Sequence, residues 1–289
     1  MSKLNHKISI NDKRFAFRIG LFAIRSLYKE LSLSHKPGLV SFVDTGSHKD
    51  MDAITFMRSI FSLRNYFKKI TLAGSNNADF SYLQFLGIEA EKKMLGATNG
   101  INTHKGAIFS LGILCAGVGL LYAKKIDFNS QNLSKVIKEN WGDIILNYDN
   151  PKKNSISNGQ KVKEKYGYNG ASYEAANGFL TITKLALPAL KNTMITSKKE
   201  EASLMQTLFI LMKNLSDTNV VHRGGKDGLI FVQKISRDFL NKGGVFQKNW
   251  ENKVFKIHKQ FISKNLSPGG SADLLASSYF VYSLEKENI

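Results

Sequence analysis

Proline occurs only four times in this chain of 289 residues, so very few positions forbid a helix. Apolar residues recur mainly three and four positions apart, as in the stripe formed by Met51, Ile54, Met57 and Phe61. Runs that could form strands, such as residues 229–232, are short and isolated. Together these patterns predict an all-α protein.

The same spacing predicts where the helices lie. Beyond the stripe near residue 51, helices are expected around residues 12–33, 78–95, 129–147, 171–187, 228–241 and 245–264. No internal repeat or linker separates them, and 43% of the residues are hydrophobic, which is enough for a large core. We therefore predict a single bundle-like helical domain over residues 1–289. The polar, basic stretch 150–165 lacks apolar periodicity and is expected to be a mobile surface loop.

The most apolar segment, residues 106–123, is about as long as the shortest helix that spans a membrane. It is rich in small residues, which allow close helix packing, and the polar run 102–105 directly precedes it. We interpret it as a buried core helix. A membrane-spanning helix is the less favoured alternative.

The charge balance favours anionic partners. Lys and Arg total 41 against 23 Asp and Glu, a net charge of +18, which suits nucleic acid, acidic membranes and polyphosphorylated small molecules alike. The single cysteine, Cys115, excludes a disulfide within the chain and a cysteine-based metal site. The first apolar stretch, residues 19–24, is too short for the core of a signal peptide. These features predict a cytoplasmic protein.

Five compact polar segments carry the residues suited to chemistry, and each combines a glycine turn with an acid, a histidine or a base. They are residues 36–52, 99–106, 168–179, 217–225 and 267–273. We expect these turns to converge at one end of a helical bundle and to form an active site there. Neither the P-loop pattern nor the Rossmann glycine fingerprint is present, and no G-x-S-x-G elbow occurs.

Each segment also has an interpretation without chemistry. Asp50 and Asp52 suit the start of the following helix, and Asp273 suits the first turn of the last one. A lone histidine near a helix end, such as His104, is more often structural, and Glu174 by itself would be an ordinary surface residue. Clustered carboxylates could equally hold a hard divalent cation. The residues alone leave these alternatives open.

The ordered motifs narrow the choice. They are KPGLV at 36–40, DTGSHKDM at 44–51, GINTHKGAIFSLG at 100–112, EAANGF at 174–179, DTN at 217–219, HRGG at 222–225 and PGGSADLLA at 268–276. In this order they resemble the triphosphoribosyl-dephospho-coenzyme A synthase family, and the resemblance spans roughly residues 34–280.

The resemblance implies an enzyme that transfers the triphosphoribosyl group of ATP to the ribose 2′-hydroxyl of 3′-dephospho-CoA and releases adenine. Its product would be the prosthetic-group precursor for the acyl carrier protein of citrate lyase or malonate decarboxylase, and would pass to a holo-acyl-carrier-protein transferase. Adenine needs a proton or a donor, the acceptor hydroxyl needs a base, and the oxocarbenium-like ribose needs negative charge nearby. Mg²⁺ is the cation expected on the triphosphate.

On this basis we assign roles to the residues of the motifs. The candidate base or oxocarbenium stabiliser is Glu174, and the candidates for acid or substrate positioning are His104 and His222. The candidate ligands of ATP phosphates are Lys36, Lys105, Arg223 and Ser271. The candidate metal ligands, directly or through water, are Asp44, Asp50, Asp217 and Asp273.

Two other classes of protein stay open. A metal-dependent nucleotide phosphohydrolase of helical fold would also use His and Asp at helix ends, but would release phosphate or pyrophosphate instead of adenine. A nucleic-acid-binding protein would explain the charge, yet Lys and Arg are spread along the chain and no helix-turn-helix, zinc or RNA-binding signature occurs. We expect neither nucleic acid nor membrane as a partner, and the oligomeric state is not fixed by the sequence.

Overall fold

The computed structural model describes residues 9–148, 162 and 164–289. The helices of the first range are α1 (Ile10–Ser32), α2 (Ala53–Ser62), α3 (Arg64–Ser75), α4 (Phe80–Ala97), α5 (Lys105–Lys124) and α6 (Ser130–Tyr148). Those of residues 164–289 are α7 (Ala171–Ala176), α8 (Leu187–Ser197), α9 (Glu200–Asn214), α10 (Thr218–Asn241), α11 (Trp250–Ser263) and α12 (Gly269–Lys286). The described ranges contain no strand, which confirms the prediction of an all-α fold.

Most helices lie where the apolar spacing places them. α1, α4 and α6 begin and end within two residues of the predicted bounds. The region predicted as one helix over 171–187 differs, because α7 ends at Ala176 and a π-helical turn, Ile182–Ala186, leads into α8. Gly178 has φ +72° and packs so close to α6 that a Cβ would lie 2.3 Å from the carbonyl oxygen of Ser134. This close packing ends α7 and favours a glycine at the break.

The apolar segment predicted as a core helix is α5. Nearly every residue from Ala107 to Leu121 is buried, and α5 packs against α1, α3, α4, α6 and α12. The axes of α3 and α5 come close because Gly74 of α3 meets the backbone of Ala116, where a Cβ would lie 2.0 Å from the carbonyl oxygen. By length and composition α5 could cross a membrane, but 78% of its most apolar window is buried inside the protein. The prediction of a buried core helix is confirmed.

Two helices of the second half begin differently from the prediction. α10 begins at Thr218, ten residues before the predicted start, and its backbone is broken at Gly225, where φ is +63°. α11 begins at Trp250 and follows a 3₁₀ turn, Gly244–Phe246. The break in α10 separates a short first segment, which carries the HRGG motif, from the longer amphipathic remainder.

One cluster of buried apolar residues joins the described helices. It includes Leu27 of α1, Leu114 of α5, Phe209 of α9 and Leu275 of α12. A single domain over residues 1–289 stays a prediction, because residues 1–8, 149–161 and 163 are outside the described part. Most of the predicted mobile loop at 150–165 therefore lies outside the described residues as well.

Candidate active site

A cavity of about 1800 Å³ lies where the starts of several helices meet. Its wall contains residues from all five polar segments: Gly46–Met51, Asn102–Gly106, Gly167–Glu174, Asp217–Asn219 with His222 and Arg223, and Ser267 with Gly269, Gly270 and Asp273. The long helices α5 and α12 and the short first segment of α10 all begin at this wall. Backbone N–H groups and the positive end of the helix dipole favour anions at such starts.

Asp217 joins the starts of α10 and α12. Its Oδ1 accepts hydrogen bonds from the backbone N–H groups of Asn219, at 3.0 Å, and Val220, at 3.4 Å. Its Oδ2 accepts from both the backbone N–H of Ser271, at 2.7 Å, and the Ser271 hydroxyl, at 2.9 Å. Burial raises the pKa of Asp217, and these donors oppose the rise.

This arrangement differs from the sequence-based roles of both residues. Both carboxylate oxygens of Asp217 already have donors within the protein, so a metal ion would have to displace them. Ser271 is fully buried, and its N–H and hydroxyl both serve Asp217. The two side chains form a structural contact between helices, and their placement gives no support to metal binding by Asp217 or phosphate binding by Ser271.

Asp273 faces the cavity as the fifth residue of α12, just beyond the first turn in which the sequence predicts it, and its side chain is partly exposed. The backbone N–H of Ala107 is its hydrogen-bond donor on α5. A Cβ at Gly106 would lie 2.0 Å from Asp273 Oδ2, so only a glycine leaves room for this carboxyl. Burial raises the pKa of Asp273 well above its usual range, and the carboxyls of Glu30 and Asp217 raise it further. A bound cation would relieve that repulsion.

Lys36 is buried beneath the cavity and pairs with Glu30. Its Nζ lies 2.6 Å from Glu30 Oε1 and also donates to the Glu30 carbonyl oxygen. Burial lowers the pKa of Lys36 and raises that of Glu30, in each case against the attraction of the partner. Glu30 lines the cavity and Lys36 does not. The phosphate role that the sequence predicts for Lys36 has no support from this placement.

His104 lies at the start of α5 and is 3% exposed. Its Nδ1 is 2.7 Å from the hydroxyl of Ser59, and its ring meets Phe56 edge to face at 4.8 Å. Burial, with the charge of Lys36 adding to it, lowers the pKa of His104 to about 3. The ring is therefore uncharged at neutral pH and has no imidazolium proton to give. Of the two roles predicted for His104, substrate positioning suits this environment better than general acid.

The buried, uncharged state of His104 predicts a pH dependence of stability. The unfolded chain binds a proton near the ordinary pKa of 6.5, and the folded protein resists it until about pH 3. The contribution of His104 to the free energy of unfolding therefore has its full value above pH 6.5, and it is lost as the pH falls toward 3. We expect a loss of about 2 kcal/mol between pH 7 and pH 5.

Urea unfolding at several pH values measures this dependence. The slope of stability against pH should flatten in His104→Gln and stay unchanged in His222→Gln, because His222 is exposed. An unchanged slope in His104→Gln would show that His104 is not responsible.

Arg223 fastens the loop before α2 to the turn before α12. Its guanidinium donates to the Ser47 carbonyl oxygen at 2.9 Å and to Asn265 Oδ1 at 3.0 Å, and lies 3.1 Å from His48 Nδ1. His48 Nε2 is 2.8 Å from the hydroxyl of Ser267. Burial, followed by the charge of Arg223, lowers the pKa of His48 to about 4. His48 belongs to the motif at residues 44–51, but the sequence alone assigns it no role.

The remaining predicted metal ligands have other partners. Asp44 Oδ2 is 3.1 Å from Nε2 of the buried His258, and its Oδ1 accepts from the N–H of Gly46 at 2.9 Å. The side chain of Asp50 is 62% exposed and lies 3.7 Å from His48 Nδ1. Within the described residues, no three His, Cys, Asp or Glu side chains gather as a metal cluster. The four predicted acids therefore do not form one preformed metal site.

Three other predicted residues reach the cavity. Lys105, the first residue of α5, has a half-exposed side chain whose Nζ is 3.1 Å from Glu91 Oε2. Glu174 of α7 accepts a hydrogen bond from the hydroxyl of Thr181 at 2.7 Å, which fixes its orientation. His222 lies exposed on the first segment of α10. All three stay candidates for the roles that the sequence assigns to them.

Comparisons with known proteins agree with the family resemblance that the motifs indicate. The family model that matches residues 16–289 is described as ATP:dephospho-CoA triphosphoribosyl transferase. A protein of Acinetobacter calcoaceticus, named probable 2-(5''-triphosphoribosyl)-3'-dephosphocoenzyme-A synthase, is 44% identical over 94% of this chain and 92% of its own length. A synthase of the same name without "probable", from Pectobacterium atrosepticum, is 38% identical over 89% of this chain and 86% of its own. No solved structure shows a significant match.

Proposed function

The chain belongs to the ATP:dephospho-CoA triphosphoribosyl transferase family and transfers the triphosphoribosyl group of ATP to dephospho-CoA, and from this premise we propose how its cavity performs the transfer. The observation that carries the proposal is the meeting of three helix starts, those of α5, α10 and α12, at one cavity wall. Its volume of about 1800 Å³ exceeds the roughly 300–1,000 Å³ of a pocket for one small ligand. The cavity therefore has room for both nucleotide substrates.

The triphosphate of ATP lies, in this proposal, against the starts of α5, α10 and α12. Lys105 adds a positive charge at the first of these starts, and Arg223 adds one from α10. Both side chains have protein partners, Glu91 for Lys105 and the Ser47 carbonyl oxygen for Arg223, so a phosphate would share or exchange these contacts. The net charge of +18 attracts both polyphosphate substrates to the protein.

The chemical step breaks the bond between the ribose C1′ of ATP and N9 of adenine, and the bonding electron pair leaves with adenine. The 2′-hydroxyl of dephospho-CoA forms the new bond to C1′ and loses its proton. We propose that Glu174, which Thr181 orients, accepts that proton. His222 is the proposed donor to the departing adenine. The negative charge of Glu174 also stabilises the oxocarbenium-like ribose. His104, uncharged and held by Ser59, positions the substrate.

The fit of Mg²⁺ rests on Asp273. Mg²⁺ is commonly bound through one or two carboxylates together with substrate phosphates, so it does not require a cluster of three acids. The carboxyl of Asp273 faces the cavity, and the nearby carboxyls of Glu30 and Asp217 disfavour a negative charge on it. A bound cation would offset that repulsion. We propose that Asp273 holds Mg²⁺ with ATP. When bound, the ion would neutralise part of the triphosphate charge.

The decisive experiment supplies the purified protein with ATP, Mg²⁺ and dephospho-CoA. We expect free adenine by chromatography, and by mass spectrometry a product heavier than dephospho-CoA by one triphosphoribosyl unit. Omission of Mg²⁺ should abolish both signals. Formation of ADP, AMP or pyrophosphate without adenine would instead identify a nucleotide phosphohydrolase.

The later fate of the product is part of the same proposal. We propose that the reaction takes place in the cytoplasm and that a holo-acyl-carrier-protein transferase receives the product. Incubation of the product with such a transferase and the acyl carrier proteins of citrate lyase and of malonate decarboxylase would show which protein is modified.

A further inference from the structure

One face of α4 lines the cavity along most of that helix. Its cavity-facing residues include Phe80, Gln84, Gly87, Ile88 and Glu91, which are spaced at helical intervals and span roughly 16 Å along the axis. Across from them, α5 contributes Lys105, Phe109 and Ile113. These eight residues define what we call the α4–α5 groove.

The groove changes in character along its length. At one end Glu91 and Lys105 form an ion pair of 3.1 Å beside the helix start at which the triphosphate is placed. At the other end lie Phe80 and Ile113, and Ile145 of α6 also lines the cavity. A ligand that fits the groove therefore has an anionic group at one end, where the start of α5 favours it, and an extended chain with apolar parts at the other.

Two residues in the middle of the groove suit such a chain, because one leaves space and the other offers exposed apolar surface. Gly87 has no side chain, and a Cβ built there would meet only the hydroxyl of Tyr66, at an ordinary contact distance of 3.7 Å. Ile88 is 46% exposed although it is apolar and lines the cavity. Covering such a side chain with an apolar ligand is favourable.

We propose that the α4–α5 groove binds the pantetheine arm of dephospho-CoA, with the diphosphate at the Lys105 end. The inference rests on the proposed function, because it takes dephospho-CoA as the acceptor. In that substrate the diphosphate separates the reacting ribose from the arm, and the arm ends in a thiol. The groove has the same order, from the reacting centre to the ion pair and then to the apolar end.

The far end of the groove adjoins a second cavity at Phe80. Phe80 also lines a separate cavity of about 440 Å³, together with Asn77, Trp141 and Ile144. The thiol end of the arm is therefore placed near Phe80, away from the starts of α5, α10 and α12 at which the triphosphate is placed.

Calorimetric titration of dephospho-CoA and of ADP tests the groove, since ADP is the nucleotide part of dephospho-CoA without the arm. Gly87→Leu, which fills the groove, and Ile88→Ser, which removes its apolar wall, should each weaken dephospho-CoA binding roughly tenfold or more. ADP binding should change less than about twofold in both variants. Phe85→Ser is the matched control, because Phe85 is an exposed apolar residue of α4 that does not line the cavity.

Three outcomes would overturn the proposal. Equal losses for ADP and dephospho-CoA would mean that the variants disturb the nucleotide site. Equal effects of Ile88→Ser and Phe85→Ser, or no loss in Gly87→Leu, would mean that the arm lies elsewhere. These results leave the proposed function intact, whereas a wild-type protein that binds no dephospho-CoA would refute both.

Discussion

Replacing Asp273 by asparagine is expected to lower kcat roughly 10²–10³-fold, a loss typical of removing one preorganised electrostatic group. Asn keeps the size of the side chain and an oxygen that can accept from the Ala107 N–H, so the fold should be retained. The substitution removes the carboxylate charge at the cavity wall, and we propose that this carboxylate holds Mg²⁺ with ATP. Adenine release at saturating substrates measures the loss, and circular dichroism checks the helical content.

The matched control for Asp273 is Asp50→Asn. Asp50 also lines the cavity and was predicted for the same role, but its side chain is 62% exposed. We expect less than about a tenfold effect there, because exposed charges are screened by solvent. If both variants lose activity equally, or if Asp273→Asn keeps full turnover at limiting Mg²⁺, the assignment of the ion to Asp273 is wrong.

The same position predicts how Mg²⁺ dependence changes with pH. The raised pKa of Asp273 means that its carboxyl takes up a proton more readily than an ordinary aspartate as the pH falls. A proton and Mg²⁺ compete for the carboxylate, so the Mg²⁺ concentration for half-maximal activity should rise toward acid pH. In Asp273→Asn this dependence should be much weaker.

The second large effect concerns stability. Asp217→Ala is expected to lower the free energy of unfolding by about 3–5 kcal/mol, because three N–H donors lose their acceptor and a buried donor left unsatisfied costs roughly 1–3 kcal/mol. The alanine leaves the N–H groups of Asn219, Val220 and Ser271 without their acceptor, and the last two of these contacts are buried. Unfolding in urea, followed by circular dichroism, measures the change.

Two further variants separate the capping effect from the contact between helices. Asp52→Ala removes the N-cap of α2, where the carboxylate accepts from the exposed Thr55 N–H at 2.8 Å, and should cost only about 1 kcal/mol. Ser271→Ala removes the hydroxyl but keeps the backbone donor, and should also cost about 1 kcal/mol. If Asp217→Ala lowers the free energy of unfolding no more than Asp52→Ala does, then Asp217 acts only as an ordinary N-cap.

Sequence patterns predicted the helices well because apolar spacing and small residues act locally. The burial of α5 follows from its composition, and its close approach to α3 requires the glycines that the sequence displays. The break after α7 was missed although the sequence carries a local stop signal there. Gly178 follows the helix with φ +72°, and the Phe179 N–H donates back to the Glu174 carbonyl oxygen at 2.7 Å, as at a glycine C-cap. The contact of Gly178 with Ser134, 44 positions earlier along the chain, is the part that no local pattern contains.

The site residues show the same division. The motifs predicted which segments line the cavity, but the role of each side chain depends on partners outside its motif. Lys36 is buried in an ion pair with Glu30, which is a residue of α1 that no motif contains. Asp217 and Asp273 look alike in sequence, each an acid near a helix start. They differ in the structure because Asp217 has donors on both oxygens and Asp273 faces the cavity.

The carboxylate shared by α10 and α12 also bears on how quickly and tightly a nucleotide can bind. Asp217 holds the two helix starts in fixed positions relative to each other before any substrate arrives. An incoming polyphosphate then meets helix starts whose positions are already fixed, so the protein loses little conformational entropy on binding. Most of the conformational entropy lost on binding is then that of the substrates, because their flexible chains must adopt one shape in the cavity.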